Sequence, residues 1–212
     1  MNGNGPNPPD WAERAFMAML PPTEAETESG DLLEVYRDEQ VPVRGRAAAD
    51  RWYVRQVIVA FVRNYGLWLA ALVALFVMQD VANTRSPSRP SLGSPAVLIG
   101  VILIASLHGG WRTRRWEGGL FAGTAMSLLL WLFMATWWMT AWYPFLLTHQ
   151  VGPHWIQRWQ ASAAPGESFA HWIVMDNAGA TFVSFFVLNA SGVAAGIAGG
   201  LGGAAARQLR RA

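Results

Sequence analysis

The residues able to do chemistry are few, and most gather late in the chain: His149, His154, Glu167, His171 and Asp176. Imidazoles and carboxylates together form a zinc-capable ligand set. Their spacing works against it. His149 to His154 and His171 to Asp176 are five residues apart, whereas two ligands on one helix face need a spacing of three or four. No metal site is therefore expected. Asp176 and Asn177 open a long apolar run, where a carboxylate is a functional candidate by default, although an acid in the first turn of a helix is also favoured by the dipole. Asn189, deeper in the same run, is expected to hydrogen-bond across to another helix. His108 reads as an interface residue or an interhelical hydrogen bond.

The remaining motifs exclude more than they offer. There is no Cys, so thiol nucleophiles and disulfides are absent. All of the basic residues are Arg, which removes Schiff-base and P-loop lysine chemistry. No Ser/His/Asp order and no H-E-x-x-H pattern is present. Gly200, Gly202 and Gly203 fall on a G-x-G-x-x-A pattern, but a dinucleotide site needs a strand before it, and here the glycines end an apolar run. Gly192/Gly196, Gly196/Gly200 and Gly199/Gly203 instead make overlapping small-xxx-small pairs, the spacing that lets helices approach closely. The expectation is helix packing, no catalytic residue, no cofactor and no nucleic-acid partner.

These residues must be positioned by membrane helices. Of 212 residues 52% are hydrophobic, only 14% are charged and 12 are Trp, a balance suited to a bilayer. Arg in place of Lys, with abundant Ala and Gly, fits a GC-rich bacterial genome. Apolar runs place spans at about 65–81, 95–110, 118–142 and 172–206, with an outer loop over 143–171 and a basic tail over 207–212. The second run, at about 1.5 Å per residue, falls short of a ~30 Å hydrocarbon core. Trp155, Ile156 and Trp159 suggest a short interfacial helix in the outer loop.

Before the spans, Pro and Gly keep residues 1–10 disordered, and no cleavable signal is expected. Residues 11–62 read as a short helical region in three pieces. Trp11 to Leu20 is amphipathic and stops at Pro21-Pro22. Thr23-Glu24-Ala25-Glu26 has the pattern of a capping box for a helix running to about Gln40, broken at Val41-Pro42. A third helix starts near Arg46 and heads for the first span. The second helix is acidic (Glu24, Glu26, Glu28, Asp31, Glu34, Asp38, Glu39), while Arg44 to Arg63 is basic and suited to anionic lipid.

Orientation follows from arginine placement. Arg44, Arg46, Arg51, Arg55, Arg63, Arg112, Arg114, Arg115, Arg207, Arg210 and Arg211 fall on one side and Arg85, Arg89 and Arg158 on the other. Eleven against three predicts both termini in the cytoplasm of a bacterial inner membrane.

The segments Leu20-Pro21-Pro22, Gly30-Asp31-Leu32-Leu33-Glu34-Val35-Tyr36-Arg37 and Arg51-Trp52-Tyr53-Val54-Arg55-Gln56 resemble the permease prefix domain. That domain precedes the first span of certain bacterial ABC transporter permeases and also occurs on small stand-alone membrane proteins. The resemblance covers about residues 11–60. It implies a docking region; nothing after residue 85 resembles a permease core, so it does not imply transport. The expected protein is all-α and polytopic. It would be a non-enzymatic accessory or regulatory component that meets a membrane complex or a cytoplasmic protein through its N-terminal region. The alternative is a small transporter or channel, oligomeric through span four, with Asp176, Asn189 and His108 along a polar path.

Overall fold

The computed structural model describes residues 6–85, 93–142 and 153–209. The described residues are helical, without strands, and four helices are long and apolar enough to cross a membrane. In chain order they form α1 (Asp10–Met19), α2 (Pro22–Val35), a π-helical stretch (Tyr36–Gln40), α3 (Val41–Arg44), α4 (Arg46–Arg85), α5 (Gly93–Thr113), α6 (Trp116–Trp137) with a π-helical end (Trp138–Trp142), α7 (Pro153–Ser162) and α8 (Phe169–Leu209).

The N-terminal helices begin and end differently from the sequence expectation. Helix α2 starts at Pro22 after Pro21, with no side-chain cap, because proline's fixed φ already suits the first helical position and its missing N–H costs nothing there. Thr23 thus lies inside the helix and the capping box is not used. Pro42 does not break the chain either: it sits in the first turn of α3, where a proline is tolerated. The break falls at Gly45, whose φ of 74° is open to glycine at little cost. From there α4 starts, with the Ala49 amide donating to the Gly45 carbonyl at 3.1 Å. Residues 6–9 are placed too, so the expected disorder does not extend over them.

Helix α4 runs unbroken for 40 residues, about 60 Å, so a single crossing of a ~30 Å core uses about half of it. One buried stripe runs along it: Ala49, Tyr53, Val57, Phe61, Tyr65, Leu72 and Phe76. The first three meet Phe16, Met19, Leu20, Ala25 and Tyr36 of the N-terminal helices; the later ones reach the spans, with Phe61 edge-on to Phe121 at 6.2 Å and Phe76 to Phe133 at 6.0 Å. The N-terminal region and the spans therefore share one helix and one core, and the expected boundary at residue 62 falls inside both. Helix α5, 21 residues long, reaches about 32 Å, which removes the shortfall of the second apolar run.

Helices α5, α6 and α8 form the tight centre, against which α4 leans. The closeness comes from glycine. A Cβ on Gly196 would lie 2.9 Å from the Leu120 Cα, and one on Gly199 would lie 2.7 Å from the Ser106 Cβ. Gly192 abuts Ser127 and Gly123, Gly200 abuts Trp116, and Gly203 abuts Leu107 and Trp111. Gly110, Gly119 and Gly123 answer them from α5 and α6. The glycine face of span four is thus occupied within the chain.

Candidate functional site

The polar residues singled out in the spans do not converge. Asp176 accepts from the Arg158 guanidinium at 3.2 Å, joining α8 to α7 near the surface. Arg158 also lies 5.8 Å from the Trp155 ring and 6.0 Å from the Trp172 ring. The Asn177 side chain is outside the described residues. Asn189 accepts from the Ser127 hydroxyl at 3.3 Å and donates to the Phe185 carbonyl, which is the expected bond across to another span. His108 is exposed on α5, its ring 6.2 Å from that of Trp68. Each group has its own neighbours on a different surface.

The outer-loop candidates also have local partners. Glu167 accepts from the Ala164 amide at 2.9 Å and lies 3.7 Å from the His171 imidazole. Helix α7 forms where a short interfacial helix was expected, packed through Trp155 and Trp159 on Trp172 and Ile173 of α8, with Phe169 of α8 beside them. His149 and the His154 side chain lie outside the described residues.

Two groups not singled out in the sequence lie at the end of the bundle away from α1. The Trp137 indole donates to the Asp80 carboxylate at 2.8 Å. Asp80 also lines an apolar cavity of about 310 Å³, to which Phe76 and Gln79 of α4, Leu98 of α5, Met134 of α6 and Leu188 of α8 contribute. All four spans touch this cavity, but Asp176, Asn189 and His108 do not. A lone Asp closing an apolar run gave no signal of an indole 57 residues away.

The N-terminal region has the most built surface. Tyr36 is fully buried, edge-on to Tyr53 at 5.8 Å, and its hydroxyl donates to the Asp50 carboxylate at 2.6 Å. Arg37 donates to the Asn7 side chain and, at 3.3 Å, to the Pro6 carbonyl, closing the chain start over α2. Burial first, then the neighbouring Asp50 carboxylate, push the Tyr36 phenol up to about 12. Outside this core, Glu26, Asp31, Glu34, Asp38 and Glu39 are all exposed. None of them forms an ion pair among the described residues. The result is an acidic surface on a folded support, six carboxylates within fourteen residues of chain when Glu28 is included.

Compared with protein-family models, with curated proteins and with solved structures, the chain matches none.

Proposed function

We propose that the protein is a non-enzymatic accessory or regulatory component of a bacterial inner-membrane complex, with both termini in the cytoplasm. Its N-terminal helices are the docking element, and the resemblance to the permease prefix domain points to an ABC transporter as the complex served. The observation that carries this reading is the set of exposed carboxylates Glu26, Asp31, Glu34, Asp38 and Glu39, without an ion pair among the described residues and borne by helices packed on a buried core. Its partner is a basic protein surface, because exposed carboxylates steer an oppositely charged partner and contribute little to the stability of the chain that bears them.

The test is purification of the tagged full-length chain from its host in mild detergent, with mass spectrometry of what accompanies it. Companion subunits are expected with the native chain and are lost from a Glu26→Gln, Asp31→Asn, Glu34→Gln variant that still purifies as a folded monodisperse protein. Companions that persist unchanged with that variant would remove the acidic face from the proposal.

Transport by a small membrane protein is the second reading, favoured by the cavity that all four spans line beside Asp80. It predicts that Asp80→Asn abolishes a cellular phenotype which neutralising the acidic face leaves intact. The docking reading predicts the reverse.

A further inference from the structure

Where α1, α2, α4 and the end of α5 meet, a second cavity of about 240 Å³ has two walls of opposite charge. Glu24 and Glu28, one helical turn apart on α2, form one wall; Arg63 of α4 and Arg112 of α5 form the other. Opposite charges facing one small space ordinarily close on each other. Here none of the four takes part in an ion pair among the described residues. Arg112 is turned onto the Asn64 side chain, and the side chains of Glu24, Glu28 and Arg63 have no hydrogen-bond partner among the described residues. The rest of the lining is mixed: Gln56 and Asn64 are polar, and Phe16, Leu20, Leu32 and Val59 are apolar. One turn beyond Arg63 on α4, toward the apolar run of the first span, Leu67 is exposed.

We propose that this space binds one phospholipid with a zwitterionic headgroup that carries a primary amine, of the phosphatidylethanolamine type. The phosphate lies against Arg63 and Arg112 as a charge-assisted pair, and the ammonium donates to Glu24 and Glu28. The acyl chains leave along Leu67, toward the apolar part of the span. A phosphate alone would satisfy only the arginines and would meet two carboxylates. A primary ammonium has three N–H donors for the carboxylates, whereas a quaternary amine has none. A lipid fits better than a free phosphoamine, because Arg63 stands where the first apolar run begins and the exposed aliphatic Leu67 follows it one turn into the span. This site uses Glu24 and Glu28, whereas the docking reading uses Glu26, Asp31, Glu34, Asp38 and Glu39.

The full-length chain in detergent micelles, titrated with dioleoyl phosphatidylethanolamine, phosphatidylglycerol or phosphatidylcholine, can be followed by native mass spectrometry of the bound lipid. The ethanolamine lipid is expected to be retained about tenfold better than either of the others, the size of a charge-assisted hydrogen bond. Glu24→Gln with Glu28→Gln should invert the preference toward phosphatidylglycerol, and Arg63→Gln should weaken all phosphate-bearing lipids. These three side chains are exposed, so the variants are expected to fold, which circular dichroism checks; the comparison of lipids on the native chain stands without them. Equal retention of the three lipids, or a glycerol preference unaltered by the Glu variants, overturns the proposal. Displacement by millimolar soluble phosphoethanolamine overturns the lipid as the occupant.

Discussion

At the scale of single residues, Tyr36 joins the N-terminal helices to α4 through one hydrogen bond, and that bond sets a pH limit. Its phenol is held at about 12, above the ordinary value of 10.0. The folded state thus binds this proton more tightly than the unfolded one. The associated stability is complete below pH 10 and is lost as pH rises through 10 toward 12. Tyr36→Phe keeps the ring against Tyr53 but removes the bond to Asp50. Thermal unfolding in detergent is expected to show a loss of about 1 kcal/mol at neutral pH and a flatter decline between pH 10 and 12 than in the native chain. Asp176 illustrates the opposite case. A carboxylate near the start of a span is a functional candidate by type, yet its bond to Arg158 at 3.2 Å makes it a clasp between α7 and α8.

At the scale of elements, the glycines of α8 act through what they leave out. Gly119 of α6 lies against the Gly200 backbone, so Gly119→Ala forces α6 and α8 apart and is expected to cost about 1–3 kcal/mol. Gly100 of α5 has nothing within 4 Å of where a Cβ would stand. Gly100→Ala should therefore be neutral or raise the melting temperature, because alanine is the better helix former. Equal effects of the two substitutions would contradict this packing. The pairs Gly192/Gly196 and Gly199/Gly203 were legible in the sequence as a packing surface, because their spacing is a property of one helix. Which helix covers them was not, because Gly110, Gly119 and Gly123 become partners only once α5 and α6 turn back on each other. The spans were likewise legible from apolar length. The helix start at Pro22 and the break at Gly45 were missed, because each is set by the φ available to one residue and the motif beside it pointed elsewhere. The charged cavity was illegible for a related reason: Glu24 and Arg112 are 88 residues apart and belong to helices that no local pattern brings together.

At the scale of the whole molecule, α4 belongs to two assemblies at once, since its buried stripe covers the N-terminal core and then the spans. Removing residues 1–44 strips the cover from Ala49, Tyr53 and Val57. The shortened chain is expected to lose thermal stability throughout and not simply to lose a binding activity, measured as a lower unfolding midpoint of the remaining helices. For the same reason the docking experiment uses charge neutralisation in place of deletion. The sidedness proposed for the chain can be read directly, because the sequence contains no cysteine. Single cysteines at Glu39 and at Ser162 should react with a membrane-impermeant maleimide from opposite faces of sealed vesicles, and labelling from the same face would overturn the four-span arrangement. The unbroken length of α4 also makes it a lever. Its packing against α5 and α6 is looser than the packing of α5, α6 and α8 among themselves. A partner that tips the N-terminal helices by about 5° would swing the far end of a ~60 Å rod by roughly 5 Å. That end carries Asp80 and its indole, so an event on one side of the bilayer would be felt as a displacement on the other, with no hinge, ligand or unfolding between them.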